Sequence, residues 1–240
     1  MIVLNPGALI YINYTAKIKD TGEVIETTWE EEAKKYGIYK PGFKYAPRLI
    51  AVNEGWVLKG VDEALLKAKV GERITVEIPP EKGFGLRDPS KIRLIPLRKF
   101  GEKASQIKVG DEVEIDGKIG IVRFVGSGRV QIDFNHKLAG KTLIYEIEIL
   151  KELTEDEEKI RALLARRFGT EEGKFDIKLE DKRVIIRIPE ELFFLEGIQF
   201  IKKASSSDIF KYVKNIKEVI FQEIFKVEKS QTTPTEEAKS

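Results

Sequence analysis

The chain has 240 residues, and 42 Lys and Arg against 40 Asp and Glu leave a formal net charge of only +2 at pH 7. At about 150 residues per domain, this length predicts one or two domains with room for a small third. So balanced a charge disfavours binding of nucleic acid or an anionic membrane through net charge. Cysteine is absent and histidine occurs once, which excludes disulfides, thiolate nucleophiles and metal sites that need two imidazoles.

The sequence also favours a cytoplasmic protein without a metal or a cofactor. No run of about 18 uncharged apolar residues is present, so no membrane span is expected. The first residues lack the basic start and the small-residue cleavage site of a signal peptide. Lys and Glu outnumber Arg and Asp, and this bias is typical of intracellular proteins from hot habitats.

The first part of the chain predicts strands around one short helix. Residues 9–19 alternate, which places Tyr14 on the apolar face of a half-buried strand. A turn at Gly22 leads into a partner strand that begins at Val24. Residues 57–68 contain a short helix by their apolar spacing, and residues 74–78 alternate as another strand, which Pro79 terminates.

A change of pattern after Gly85 predicts a small all-β unit that interrupts this first domain. Short strands with glycine turns are predicted over 111–115, 120–125 and 129–134. Residues 142–150 alternate again, so we expect them to pair with the N-terminal strands.

The rest of the chain predicts a separate α+β domain. A capping box at Thr154 and Glu157 is expected to start a helix. Two strands over 175–179 and 183–188 should follow, then a helix near 207–213 and an apolar stretch over 218–227. The polar residues 229–240 predict a disordered tail.

Four short motifs carry the most information about function. They are VLKGVDEA at 57–64, KVGE at 69–72, PEKGFG at 80–85 and NHKLAGKTL at 135–143. In this order and spacing, with Tyr14 and the turn at Gly22, they resemble the FKBP-type peptidyl-prolyl isomerases. The last motif and the insertion before it resemble the SlyD-like subgroup, which carries an insert-in-flap chaperone domain. The third domain resembles the long archaeal members.

The resemblance implies an α+β fold class and a domain organisation. A half-wrapped antiparallel β-sheet with a short helix across it would form the isomerase domain, from residues 1–86 and 136–151. The inserted small all-β domain would span 87–135, and the C-terminal α+β domain 152–228.

The resemblance also implies peptidyl-prolyl cis-trans isomerase activity in an apolar site, with neither a nucleophile nor a metal. Carried over by motif position, the site residues are Tyr14, Ile25, Glu26, Val57, Leu58, Val61, Phe84 and Tyr145. The Leu58 amide would bind a substrate carbonyl, and Val61 would form the floor. Two positions depart from the family: the floor is commonly a large aromatic residue, and Glu26 stands where the family usually has Asp. Trp56 or Trp29 is a candidate to fill the extra space at the floor.

The insert has a functional interpretation and a structural one. Exposed apolar residues would hold unfolded client chains near the isomerase site, the candidates being Ile95, Leu97, Phe100, Val122 and Phe124. The same side chains are also those that the insert needs for its own core.

Other functions stay open. One alternative is a holdase chaperone with a weak or vestigial isomerase pocket, given Val61 and Glu26. Nucleic acid is an unlikely partner, because acidic residues accompany the basic ones in the insert. The apolar residues 219–225 could complete the sheet of the third domain or form the edge of a homodimer.

Overall fold

The structure, a computed structural model, describes residues 4–226 as strands and short helices in two compact units, residues 1–152 and 153–240. In chain order the elements are β1 (Leu9–Ile18), β2 (Val24–Thr27), α1 (Glu30–Lys35), β3 (Arg48–Ala51), α2 (Lys59–Leu65), β4 (Arg73–Ile78), β5 (Ile92–Pro96), β6 (Glu112–Ile115), β7 (Lys118–Gly126), β8 (Arg129–Asp133), β9 (Leu143–Glu152), α3 (Asp156–Phe168), β10 (Asp176–Glu180), β11 (Arg183–Arg187), α4 (Ile198–Tyr212) and β12 (Glu218–Gln222). Within 4–226, no helix combines the length and apolarity that crossing a membrane requires. The predicted tail, 229–240, lies outside the described residues.

The main sheet of the first unit is antiparallel and centred on β1. Strand β9 pairs along one edge of β1 and carries β4 on its far side. The other edge of β1 is shared, because β3 pairs with its first half and β2 with its second half. The predicted pairing of residues 142–150 with the N-terminal strand is confirmed. Helix α1, which the sequence pattern did not predict, lies in the connection between β2 and β3.

Helix α2 packs closely on this sheet because one of its residues is glycine. A Cβ at Gly60 would lie 2.8 Å from Cγ2 of Ile78, closer than packed carbon atoms approach. The core that the helix and the sheet share includes Val61 of the helix and Ile12 and Tyr14 of β1. This arrangement, a partly wrapped antiparallel sheet with one short helix across it, confirms the predicted fold class.

The insert forms a second antiparallel sheet with its own small core. Its strand order is β5-β8-β7-β6, and the core consists of Ile95, Val122, Val130 and Ile132. The strands predicted in this region are confirmed. A β-bulge between Val122 and Phe124 shifts the pairing register of β7 against β8.

The second unit contains a three-stranded sheet and two helices. Strand β10 pairs antiparallel with β11, whereas β12 pairs parallel to β11 after the crossover through α4. Phe168 at the end of α3 packs edge-on against Phe175, at a centroid distance of 5.1 Å. Residues 218–222 thus complete the sheet of their own unit.

Two predictions for this unit are wrong. The capping box does not form, since the N-cap of α3 is Glu155, which makes no side-chain capping hydrogen bond. Helix α4 begins at Ile198, well before the predicted residue 207. The serines at 206 and 207 are accommodated inside the helix, because their hydroxyls donate to the carbonyls four residues earlier.

Candidate active site

Three strands bring three of the predicted site residues, Tyr14, Glu26 and Tyr145, to one face of the main sheet. Glu26 on β2 lies opposite Ala16 on β1, and Ala16 lies opposite Tyr145 on β9. Residues directly opposite one another project to the same face, so Glu26 and Tyr145 share the face of Ala16. Tyr14, two residues before Ala16 on β1, also projects to this face. Its ring lies 5.6 Å from that of Tyr145, tilted by 31°.

The hydroxyl of Tyr14 is the centre of a polar network on this apolar face. It donates to Oε1 of Glu26 over 2.6 Å and accepts from Nη1 of Arg48 over 2.6 Å. Nη1 of Arg48 also lies 3.1 Å from Oε1 of Glu26, which closes the triangle. The sequence analysis identified Tyr14 and Glu26 but missed Arg48, because a single Arg at the start of a strand carries no pattern.

Burial keeps both tyrosines of the site neutral. The pKa of Tyr14 is raised far above the ordinary value, first by burial and then by the hydrogen bond to Glu26 and the charge of that carboxylate. Burial, followed by the charge of Glu26, raises the pKa of Tyr145 to about 12. Tyr14 therefore remains a hydrogen-bond donor throughout the physiological range.

Helix α2 and the residues before it cover the apolar side of the face that carries Tyr14 and Tyr145. Val61 is 1% exposed and belongs to the core beneath the sheet face. Val57, Leu58 and Ile25 are partly buried and pack against the same core. Leu58 is the N-cap of α2, and the amide of an N-cap residue has no intrahelical acceptor. The predicted role of Trp56 or Trp29 as a filler stays a prediction.

A buried carboxylate fixes the turn that leads into this segment. Asp62 is 5% exposed and accepts hydrogen bonds from the amides of Asn53 and Gly55, each over 3.0 Å. Both turn residues have positive φ, at 58° and 69°. Burial raises the pKa of Asp62, against the lowering effect of these two amides. The sequence analysis did not select Asp62, although an acid inside an apolar helical motif was a visible signal.

Phe84 lies in the segment that leads into the insert and is 36% exposed. Its ring stacks on the imidazole of His136 at a centroid distance of 4.5 Å and an interplanar angle of 7°. His136 belongs to the segment that returns from the insert. The two segments are joined further by a hydrogen bond from the Gly140 amide to the Gly85 carbonyl, 2.8 Å long.

The structure divides the five apolar residues predicted as a client surface in the insert. Val122 is 0% exposed and Ile95 is 7% exposed, so the expectation that these two present exposed surface is wrong. Both fill the core of the insert, and Leu97 and Phe100 pack against it half-buried. Phe124, in contrast, is 53% exposed.

The opposite face of the insert sheet is the more exposed one. Leu94 on β5 and Phe124 on β7 both lie opposite Gln131 of β8, so the two side chains share one face. Ile119 lies on that face by the alternation of β7, three residues before Val122, which points into the core. We call Leu94, Ile119 and Phe124 the outer face of the insert; Leu94 and Ile119 are 55% and 62% exposed.

No group of three or more His, Asp or Glu side chains within residues 4–226 is arranged to bind a metal ion.

Comparison with protein families finds two matching models. The model described as "FKBP26, IF domain" matches residues 93–138, and the model described as "FKBP26_C-terminal" matches residues 156–226. The first match falls on the insert and the second on the second unit.

Comparison with curated proteins finds several peptidyl-prolyl cis-trans isomerases among the relatives of this chain. The chain is 36% identical over 147 residues to the short-type peptidyl-prolyl cis-trans isomerase of Methanocaldococcus jannaschii, covering 61% of this chain and 92% of that protein. It is 33% identical over 111 residues to a probable FKBP-type 16 kDa peptidyl-prolyl cis-trans isomerase of Pseudomonas fluorescens, covering 45% and 74%. It is 24% identical over 151 residues to the FKBP-type peptidyl-prolyl cis-trans isomerase SlyD of Helicobacter pylori, covering 61% and 74%.

Proposed function

The chain belongs to the FKBP-type peptidyl-prolyl cis-trans isomerases, and on that premise we propose that it catalyses rotation about the bond before proline. The proposed site is the apolar surface formed by Tyr14 and Tyr145 of the sheet and Val61 of α2. Rotation about a peptide C–N bond meets a barrier of about 18–20 kcal/mol, because the resonance of the planar amide is lost. No covalent bond is made or broken, so the site needs only to bind the twisted amide better than the planar one. Each reduction of the barrier by about 1.4 kcal/mol gives a tenfold acceleration.

The observation that carries this proposal is the position of two neutral tyrosines on an apolar face. The planar amide is more polar than the twisted one, because resonance places negative charge on its oxygen. Dry, apolar surroundings therefore disfavour the planar form relative to the twisted one. Tyr14 and Tyr145 offer ring faces on which a prolyl ring can pack. In this proposal the Leu58 amide donates to a substrate carbonyl, while the network with Glu26 and Arg48 fixes the Tyr14 ring.

Refolding of a proline-limited protein, followed without a coupled protease, tests the site. Tyr14→Ala removes a ring face and the network, so we expect kcat/KM to fall by about tenfold or more. Tyr11→Ala is the matched control, since Tyr11 projects from the same strand to the opposite face. Unchanged turnover in Tyr14→Ala would contradict the proposed site. If the wild type itself gave no acceleration but still suppressed aggregation, the holdase alternative would be favoured instead.

We further propose that the insert binds unfolded client chains through its outer face. Leu94, Ile119 and Phe124 are each more than half exposed on one face of a four-stranded sheet. Large apolar side chains exposed together on one face are typical of interaction surfaces. An isomerase site grips a single proline weakly, so a neighbouring surface that holds the same chain raises its effective concentration at the site.

A variant with all three outer-face residues replaced by serine separates client binding from isomerisation. We expect this variant to lose suppression of aggregation and acceleration of protein refolding, but to keep turnover of a short proline peptide. Glu102→Ser, Lys103→Ser and Lys118→Ser together provide a control with three exposed changes in the insert that lie outside its outer face. Retained aggregation suppression in the outer-face variant would overturn this assignment.

The remaining partners are proposals of the same kind. Proline-containing or unfolded polypeptides are the proposed clients, and the second unit is the proposed site of homodimerisation. A cytoplasmic location stays a prediction.

A further inference from the structure

The residues that join the insert to the isomerase domain include one histidine whose position suggests a role in the reaction. We propose that His136 is a positioning residue of the isomerase, which holds the Phe84 ring at the rim of the site through their stacked contact. This inference rests on the proposed placement of Phe84 in the active site. It adds a residue that lies outside the row of Tyr14, Glu26 and Tyr145 and acts through another side chain.

Phe84 has a side chain that core packing fixes only in part. It stands between Gly83 and Gly85, whose amides both donate to the Pro80 carbonyl, over 3.0 and 2.7 Å. Phe84 is 36% exposed, so the core surrounds only part of its side chain. A partly exposed ring can occupy more than one rotamer, so a neighbour is needed to fix its orientation. The near-parallel imidazole of His136, 4.5 Å away, is such a neighbour.

His136, in contrast, is held on several sides. Its Nδ1 accepts a hydrogen bond of 3.2 Å from the Leu138 amide, and its carbonyl accepts one of 2.8 Å from the Ala139 amide. An acceptor at Nδ1 means that the neutral ring carries its proton on Nε2. The tight turn therefore fixes the plane of the imidazole, and the stacked contact passes this orientation to Phe84.

The residue before His136 ties this turn to the root of the insert. Asn135 Oδ1 accepts from the Asp88 amide over 2.9 Å, and Asn135 Nδ2 donates to the Asp88 carbonyl over 2.9 Å. The same Nδ2 also donates to the buried carboxylate of Asp133, which accepts a second hydrogen bond from Arg87. Both chain segments that enter and leave the insert are thus clamped beside the stack. His136 is consequently placed by the insert root and Phe84 by His136.

A double-mutant cycle tests whether His136 acts through Phe84. The four proteins are the full-length wild type, His136→Ala, Phe84→Ala and the double variant, assayed for kcat and KM on a short proline peptide. Small misplacements of site groups cost up to about a hundredfold in rate, so we expect His136→Ala to lower kcat/KM by about tenfold. In the Phe84→Ala background, the same substitution should change kcat/KM by less than about twofold, because the ring that it positions is gone.

Two further variants distinguish positioning from a general effect on folding. His136→Phe keeps a flat ring for the stacked contact but loses the Nδ1 acceptor that fixes the ring plane, so we expect it to restore only part of the activity lost in His136→Ala. Lys137→Ala, at the neighbouring exposed position, should match the wild type in turnover and thermal unfolding.

Equal losses in His136→Phe and His136→Ala, or full additivity with Phe84→Ala, would overturn the proposal. An active Phe84→Ala variant with unchanged kcat/KM would instead refute the placement of Phe84 in the site and leave the isomerase assignment standing.

Discussion

The side chains of the site divide into apolar residues, whose positions follow a sequence pattern, and charged residues, whose positions do not. Tyr14 and Tyr145 lie on strands in which apolar and polar residues alternate, so the sequence placed both on the buried face. Arg48 donates to a hydroxyl 34 residues away along the chain, and Asp62 accepts from amides nine and seven residues away. Such contacts depend on how the chain is folded and leave no period in the sequence.

The two tyrosines predict how the protein responds to alkali. Because burial raises the folded-state pKa of both phenols above the unfolded value of 10.0, they contribute stability that is complete below pH 10. This contribution is lost as the pH rises toward the folded value, about 12 for Tyr145, since the unfolded chain ionises first. We expect the absorbance change of tyrosine ionisation at Tyr145 to be absent at pH 10 and to appear near pH 12. Comparison with Tyr145→Phe assigns the signal, and ionisation of Tyr145 already at pH 10 would contradict the buried site.

Asp62 predicts a pH dependence of the same sign at acidic pH. Its folded-state pKa lies above the ordinary value of 3.8, so the protonated form is favoured in the folded state and ionisation weakens the fold. The contribution of its titration to stability is therefore complete below pH 3.8 and lost as the pH rises through the folded value. We would compare denaturant unfolding of the wild type and Asp62→Asn across this range. The excess of the wild-type unfolding free energy over that of Asp62→Asn should decrease as the pH rises.

At neutral pH the same substitution should still destabilise the protein. The carboxamide introduced by Asp62→Asn offers one carbonyl oxygen to two backbone amides, so one buried donor loses its acceptor at a cost of about 1–3 kcal/mol. A variant as stable as the wild type at pH 7 would show that the turn before Val57 does not depend on this carboxylate.

At the scale of elements, the insert shows where alternation fails as a guide. The strict period of two places Val122 and Phe124 on the same face. The bulge at Arg123 adds one residue to β7 and turns Phe124 outward while Val122 stays in the core. The sequence therefore predicted the strands of the insert correctly but assigned two core residues to its surface. A bulge depends on the partner strand, so it cannot be read from one strand alone.

The helix elements show the same dependence on context. Helix α2 was predicted because its apolar residues recur with helical spacing, and the glycine-containing motif around it carried the family resemblance. Helix α1 has only Ala33 as a buried residue, which is too little apolar content for a pattern to show. The missed part of α4 contains Ser206, a poor helix former in isolation, whose hydroxyl finds an acceptor within the helix.

The close approach of α2 to β4 predicts that Gly60 cannot be replaced without cost. Gly60→Ala would place a methyl group 2.8 Å from Cγ2 of Ile78, so either the helix or the strand must shift. Overpacking of this kind costs about 1–3 kcal/mol, and the shift would move Val61 and Leu58 away from the sheet face. We expect a lower midpoint of denaturant unfolding and a reduced kcat/KM on a short proline peptide. Ile78→Ala should destabilise the Gly60→Ala chain less than it destabilises the wild type, because it removes the two γ carbons that crowd the new methyl group.

At the scale of the whole molecule, the chain combines an FKBP-type isomerase unit with a second unit that exposes several aromatic side chains. Phe194, Phe200 and Phe225 are 90%, 83% and 71% exposed, and the Phe225 ring contacts Phe193 at 5.0 Å. Single exposed apolar residues are ordinary, and these larger ones are only candidate anchors for the proposed homodimer. The structure uses 218–222 as the outer strand of this unit's own sheet, so a dimer would have to form through these side chains or along the free edge of β12.

A homodimer through the second unit would give one assembly two isomerase sites and two insert faces, and a client chain that binds both would dissociate more slowly. A stable interface buries about 1,200–2,000 Å² in total, for which exposed phenylalanines are suitable anchors.

We expect sedimentation equilibrium to give twice the chain mass of 27.4 kDa, and Phe194→Ser with Phe200→Ser to shift the equilibrium toward the monomer. Phe124→Ser, an equivalent change in the insert, is the control and should leave the mass unchanged. The monomeric double variant should keep its turnover of a short peptide, since that site lies wholly in the first unit, but suppress aggregation less per chain. If the wild type sediments as a 27.4 kDa species at high concentration, the proposed dimer is contradicted, and so is the slower dissociation of clients expected from two insert faces.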